Sequence, residues 1–117
     1  MSTTILIVDD HPSFRGMARA LLESEGFDVV GEAEDGAAAI EAAKELHPDV
    51  VLLDVQLPDI DGFEVAAALT NNGSSPAIIM TSSRDACDFG SLVANSGARG
   101  FIPKAELSAE AVSALLE

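Results

Sequence analysis

An α/β fold with a parallel sheet covered on both faces is the architecture this sequence predicts, on three observations. The short apolar runs Ile5–Val8, Val50–Leu53 and Ala77–Met80 are unbroken, the pattern of strands buried on both faces. Between them lie stretches with apolar residues three and four apart, the period of a helix with one buried face. The two patterns alternate as five β-α units in 117 residues. Alternation with short connections implies a doubly wound parallel sheet with right-handed crossovers.

Each element follows from local signals. The first strand, 5–8, runs into Asp9 and Asp10. Residues 12–25 carry Phe14, Met17, Ala18, Leu21 and Leu22 at helical spacing, with Pro12 suited to the first turn and Gly26 to the position past the end. Gly16 within that helix costs about 1 kcal/mol relative to Ala, so close packing or access to a site is expected there. Residues 27–33 read as a second strand, and Asp28, Gly31 and Glu32 suit an edge position. An Ala-rich helix over 36–46 is stopped by His47-Pro48. The third strand, 50–53, ends in Asp54. The loop VQLPDIDG leads to a helix over 62–70, for which Asp59 and Asp61 read as turn or cap residues, and NNGSSP is a turn cluster. Strand four, 77–80, ends in Thr81-Ser82-Ser83, and a weaker helix over 84–96 contains Cys87 and Gly90 and closes at Gly97. Strand five, 100–102, ends in Pro103-Lys104, and 107–116 forms a last amphipathic helix.

Composition narrows the function. Twenty acidic side chains against six basic ones give a net charge of −14. Clustered bases that displace counterions from nucleic acid are missing, and anionic membrane surfaces are disfavoured for the same reason. A cationic ligand or a basic partner patch is attracted instead. The single cysteine, Cys87, allows no intrachain disulfide. No basic stretch precedes the apolar run at 5–8, and no segment approaches the roughly 20 apolar residues of a membrane span. The expectation is one cytoplasmic domain over 1–117, without an output domain in this chain.

The polar residues fall at the strand ends. In an open parallel sheet the carboxyl ends of all strands share one edge, where ligands bind. Asp9, Asp10, Asp54, Thr81 and Lys104 are therefore expected to converge although they are far apart in sequence. Two carboxylates about 4 Å apart repel by roughly 4 kcal/mol at an effective dielectric of 20, so three in one cleft call for a cation. Lys104 supplies one charge, and Mg²⁺, held by carboxylates, water and a phosphate oxygen, would supply more. Carboxylates, Mg²⁺, a lysine and a hydroxyl make a phosphoryl-transfer site in which Asp54 is the natural nucleophile. Taken singly, Asp9, Asp10, Asp54 and Thr81 also read as helix caps, Phe101 as core and Lys104 as solvated. His11 and His47, without partners at metal-ligand spacing, read as structural or solvated.

The stretches ILIVDDHPSFR, VVLLDVQLPDIDG, IIMTSS and GARGFIPK, in this order and spacing, resemble the receiver domain of two-component response regulators over the whole chain. DDHPSFR and KAEL look most like receivers that precede a helix-turn-helix output domain. The resemblance implies a flavodoxin-like strand order 2-1-3-4-5. It implies that Asp54 accepts a phosphoryl group from a histidine kinase, a phosphotransfer protein or a small phosphodonor. It also implies that Asp9, Asp10, Asp54 and the backbone carbonyl of Gln56 hold Mg²⁺, directly or through water. Thr81 and Lys104 would bind phosphoryl oxygens. Thr81 and Phe101 would then switch, and the face made by the fourth helix, fifth strand and last helix would signal to a protein partner or, in a phosphorylation-dependent homodimer, to a second copy. Such a domain is a signalling phosphoacceptor that promotes its own phosphorylation and dephosphorylation. In one departure, Ala105 follows Lys104 where many members have Pro, often after a cis bond; a trans loop is therefore open here. Gln56 and Ser83 occupy positions at which the family varies phosphoryl lifetime.

Other functions fit less well. A phosphatase of the haloacid dehalogenase type has a second Asp two residues after its nucleophile, where this chain has Gln56. A flavin or dinucleotide binder needs a phosphate-cradling loop after strand one, where Asp9 and Asp10 would repel it. The remaining alternative is a receiver-like module that acts by protein contact without phosphorylation.

Overall fold

The computed structural model describes residues 3–70, 76–82 and 98–116. The helix expected over 84–96, with Cys87 and Gly90, lies outside them, as do Ser83, Gly97 and most of the NNGSSP turn. Strands β1 (Thr4–Val8), β2 (Asp28–Ala33), β3 (Val50–Asp54), β4 (Ala77–Ser82) and β5 (Gly100–Pro103) alternate with helices α1 (Pro12–Ser24), α2 (Gly36–Leu46) and α3 (Gly62–Thr70), and α4 (Ala109–Leu116) follows β5. All pairings are parallel, in the order β2-β1-β3-β4-β5. The expected doubly wound α/β fold is present, with β2 at an edge.

Side-chain alternation along the strands builds two cores. Leu6, Val8, Val51, Leu53, Ile78 and Met80 face one layer, with Ala39 and Ala43 of α2 and Val65, Ala66 and Leu69 of α3. Ile5, Ile7, Val50, Leu52, Ile79 and Ile102 face the other, with Ala18 and Leu22 of α1 and Val112 of α4. This explains the unbroken apolar runs, because both faces of the strand are covered. Burying each large aliphatic side chain contributes about 1.5–3 kcal/mol.

The helix ends show which local signals operate. His11, not an aspartate, is the N-cap of α1, and its side chain makes no capping bond. Asp9 and Asp10 are thereby released from the capping reading. Gly26 turns the chain after α1 at φ +94°, a conformation glycine adopts without strain. Asp35 caps α2 by accepting from Ala38 N at 2.8 Å. His47 ends α2 in the left-handed region at φ 46°, just before Pro48. Asp61 caps α3 as expected, accepting from Glu64 N at 2.8 Å. Asp59 instead reaches across the molecule to α2, accepting from Gly36 N at 2.8 Å and Ala37 N at 3.0 Å. It thereby fastens the β3–α3 loop to the start of α2.

Two further expectations change, and one point left open is decided. Nothing lies within 4 Å of a Cβ built on Gly16, so close packing does not account for that glycine. The last helix begins at Ala109, because Lys104–Glu106 forms a 3₁₀ turn and Ser108 Oγ accepts from Ala111 N at 3.0 Å. Lys104–Ala105 is trans, since the described residues contain no cis peptide bond.

Candidate functional site

The carboxyl ends of β1, β3 and β4 and the 3₁₀ turn after β5 meet at one edge of the sheet. β1 delivers Asp9, which is fully buried, and the next residue, Asp10, is exposed. β3 delivers Asp54, only 3% exposed. Register pairs Asp54 with Thr81, and Val55 N donates to Thr81 O at 2.9 Å, tying the two strand ends together. Lys104 begins the turn after β5 and reaches back, its Nζ 2.6 Å from Asp9 Oδ2 and 3.1 Å from Asp54 Oδ2. That ammonium also lies 4.7 Å from the centre of the Phe14 ring of α1, within cation–π range.

The loop after β3 is shaped by Gly62. A Cβ there would stand 2.4 Å from Asp54 O and 2.9 Å from Val55 Cα, so a side chain would push backbone against backbone directly behind Asp54. Gly62 N donates to Val55 O at 2.7 Å, closing the loop. Gln56 N donates to Asp54 Oδ1 at 3.1 Å. Each Asp54 oxygen thus has a partner: a backbone amide for one, an ammonium for the other.

On the β1 side, Asp9 Oδ1 accepts from His11 N at 2.8 Å. The His11 ring nitrogen Nδ1 lies 3.0 Å from Asp9 Oδ1 and 3.1 Å from Asp10 Oδ1. Arg15 Nη1 donates to Asp9 O at 2.6 Å, while its Nε pairs with Glu32 Oε1 at 3.1 Å. Glu32 is in turn held by Arg19 Nη1 at 2.8 Å, and this pairing keeps the Arg19 guanidinium above its usual range.

Electrostatics follow from burial. Burial pushes the Asp54 carboxyl above the usual carboxylate range. The Gln56 amide and Lys104 oppose the shift, and Asp9 reinforces it. For Lys104 burial works downward, but hydrogen bonding to Asp9 and the nearby Asp54 charge outweigh it and hold the ammonium above its ordinary value. Lys104 therefore serves two buried carboxylates, and among the described residues the pair is short of positive charge.

The donor set suits a hard divalent cation. One ligand atom from each of Asp9, Asp10, His11 and Asp54 lies within 4.8 Å of the others, and three of these are carboxylates, the oxygen donors such ions take. Thr81 Oγ1 is fully buried and has no hydrogen-bond partner among the described residues, which is costly unless an acceptor comes to it.

The family described as the response regulator receiver domain matches residues 5–116. The chain belongs to this family. A receiver domain is the phosphoacceptor of a two-component response regulator and a signalling module. NarL of Mycobacterium tuberculosis, described as a probable transcriptional regulatory protein, is 41% identical over 114 residues, or 97% of this chain and 53% of that protein. The solved receiver domain of the M. tuberculosis NarL superposes with a TM-score of 0.87 at 40% identity, covering 98% of this chain and 94% of that one. A solved CheX–CheY complex with BeF₃ and Mg²⁺ from Borrelia burgdorferi matches with a TM-score of 0.85 at 27% identity, covering 97% and 86% of the chains. The chain spans about half the length of the curated relatives it matches.

Among the residues singled out from this receiver's sequence, Lys104 contacts both Asp9 and Asp54, and His11 links Asp10 to Asp9. Thr81 is beside Asp54 in register. Phe101 lies on β5, paired with Met80, and packs half-buried against the core layer of α2 and α3. Gln56 contributes its amide to Asp54. Sequence reasoning missed His11, Phe14 and Arg15. Phe14 sits at helical spacing and reads as core, and Arg15 carries no local signal, because its partners Asp9 O and Glu32 come from two other elements. His11 was readable, as it directly follows the acidic pair.

Proposed function

We propose that Asp54 is the phosphoacceptor of this receiver, and that Asp9, Asp10 and Asp54 with the backbone carbonyl of Gln56 hold Mg²⁺ for the transfer. The observation that carries the reading is a buried aspartate at a parallel strand end, sharing Lys104 with a second buried aspartate, beside a buried hydroxyl with no partner among the described residues. An Asp54 carboxylate oxygen forms the bond to phosphorus as the donor's P–N or P–O bond breaks, and the leaving group keeps the electron pair. Bound Mg²⁺ would supply charge neutralisation and a template for the phosphoryl oxygens. Lys104 is close enough to Asp54 to donate to a phosphoryl oxygen there, and the Thr81 Oγ1 donor is unused among the described residues.

Phosphorylation replaces a charge shared with Lys104 by a bulkier dianion with three acceptor oxygens. Thr81 then moves toward the new acceptor, Phe101 on the adjacent strand follows, and the balance between two conformations shifts. The signal leaves on the face that includes β5 and α4, toward a protein partner or a second copy. The donor is a histidine kinase, a phosphotransfer protein or a small phosphodonor, and the domain's own residues promote both gain and loss of the group. By likeness to NarL, the output is control of transcription, in the cytoplasm.

The test is the intact mass after incubation with acetyl phosphate and Mg²⁺, beside Asp54→Ala and an EDTA control. One phosphoryl mass gained by the wild type and lost in both controls is expected. No gain on folded protein would leave a module that works by contact alone.

A further inference from the structure

We propose that His11 is a nitrogen ligand of the acidic site, so that the site also takes first-row transition ions of the Co²⁺, Ni²⁺ and Zn²⁺ class, and takes them through a contact Mg²⁺ scarcely uses. The inference rests on the reading of this edge as a cation site and deepens it. His11 Nδ1 stands 3.0 Å from Asp9 Oδ1 and 3.1 Å from Asp10 Oδ1. Two ligands at about 2.1 Å from an ion and at right angles are separated by about 3.0 Å. The imidazole nitrogen and the two carboxylates are therefore already spaced as neighbouring ligands of one ion. The backbone adds to this: His11 N donates to the same Asp9 Oδ1 at 2.8 Å, fixing the carboxylate against the residue that carries the ring.

Burial divides the set by role. Asp9 and Asp54 form a buried floor, while Asp10 and His11 form an open rim, their side chains 36% and 65% exposed. An ion entering from solvent meets the rim first. Mg²⁺ demands oxygen ligands and keeps its waters, so the imidazole adds little to its binding. Borderline ions gain from nitrogen, in rising order from Mn²⁺ to Cu²⁺. His11 therefore sets how strongly the site discriminates among divalent ions.

Titration calorimetry with MgCl₂ and separately with CoCl₂ tests this on the unphosphorylated full chain, comparing wild type with His11→Ala and His11→Gln. Visible absorption of bound Co²⁺ reports its ligands, and displacement of Co²⁺ by excess Mg²⁺ shows that the two share a site. A thiolate charge-transfer band would reveal binding at Cys87 instead and would overturn the proposal. The expected result is a loss of Co²⁺ affinity of about tenfold or more in both variants, with Mg²⁺ affinity changed by less than about threefold. Unchanged Co²⁺ affinity would overturn the proposal, as would a parallel fall for both ions, which would mean that His11 only shapes the loop. If wild type binds Co²⁺ through His11 but not Mg²⁺, the Mg²⁺-dependent phosphoacceptor reading fails while this inference stands. Mg²⁺ binding with Co²⁺ indifferent to His11 is the reverse outcome.

Discussion

Replacing Lys104 by Ala removes a cation shared by two buried carboxylates. At an effective dielectric of about 20, the contacts of 2.6 and 3.1 Å carry about 6 and 5 kcal/mol of gross Coulomb attraction. Desolvation of three ions cancels most of this, and truncating one partner of a buried ion pair typically costs about 3–5 kcal/mol. A second limit comes from proton uptake. The Asp54 carboxyl can always protonate, and from an ordinary carboxyl pKa of about 4 this costs about 4 kcal/mol at pH 7 but only about 1.5 at pH 5. The expected loss is therefore about 3–4 kcal/mol at neutral pH, falling to about 1–2 near pH 5. For 117 residues the neutral-pH loss lowers Tm by about 12–16 °C. Lys104 itself titrates in a different window: its pKa is raised on folding, so on the alkaline side its contribution is lost as pH rises through the folded value, whereas the fall on acidification comes from its carboxylate partners. Thermal and urea melts in EDTA, followed by far-ultraviolet circular dichroism, measure the effect, since the chain has neither Trp nor Tyr. Adding Mg²⁺ should stabilise Lys104→Ala more than wild type, because the ion replaces the lost charge. A loss below about 1 kcal/mol at neutral pH, or one that does not shrink on acidification, would refute the shared-cation account.

Other perturbations separate backbone from charge. Gly62→Ala would set a Cβ 2.4 Å from Asp54 O; it should cost about 1–3 kcal/mol in urea melts and slow acetyl-phosphate labelling. Gly16→Ala places a methyl in open, exposed space, so the same melts should show a gain of about 0.5–1 kcal/mol with labelling unchanged. Arg15→Met removes a positive charge near an acidic site, which by charge alone would tighten Mg²⁺ binding. Because Arg15 holds the Asp9 backbone, calorimetry should instead show weaker binding, by about tenfold.

What the chain reveals by itself depends on how local the signal is. The strands are legible because burial on both faces leaves unbroken apolar runs, and Asp54, Thr81 and Lys104 are legible because a parallel sheet brings its carboxyl ends together. Asp61 capped the helix it precedes, as local chemistry demands. Asp59, two residues earlier, caps α2 instead, a choice made by loop packing across the molecule. Gly16 suggested close packing or access to a site, yet nothing crowds it; a glycine in a helix carries the same signature whether it is crowded or open. Arg15 and Glu32 lie 17 residues apart and meet only because α1 packs beside β2. The final helix starts late because Lys104–Glu106 winds as a 3₁₀ turn that keeps Lys104 against the aspartates.

The most direct measurement is chemical. An aspartyl phosphate is reduced by borohydride to homoserine, which peptide mass mapping locates to a single residue. Treatment with acetyl phosphate and Mg²⁺ followed by reduction should convert Asp54, and Asp54 alone, to homoserine. Homoserine at Asp9 or Asp10, or none at Asp54 in a protein that has gained phosphoryl mass, would contradict the assignment of the nucleophile.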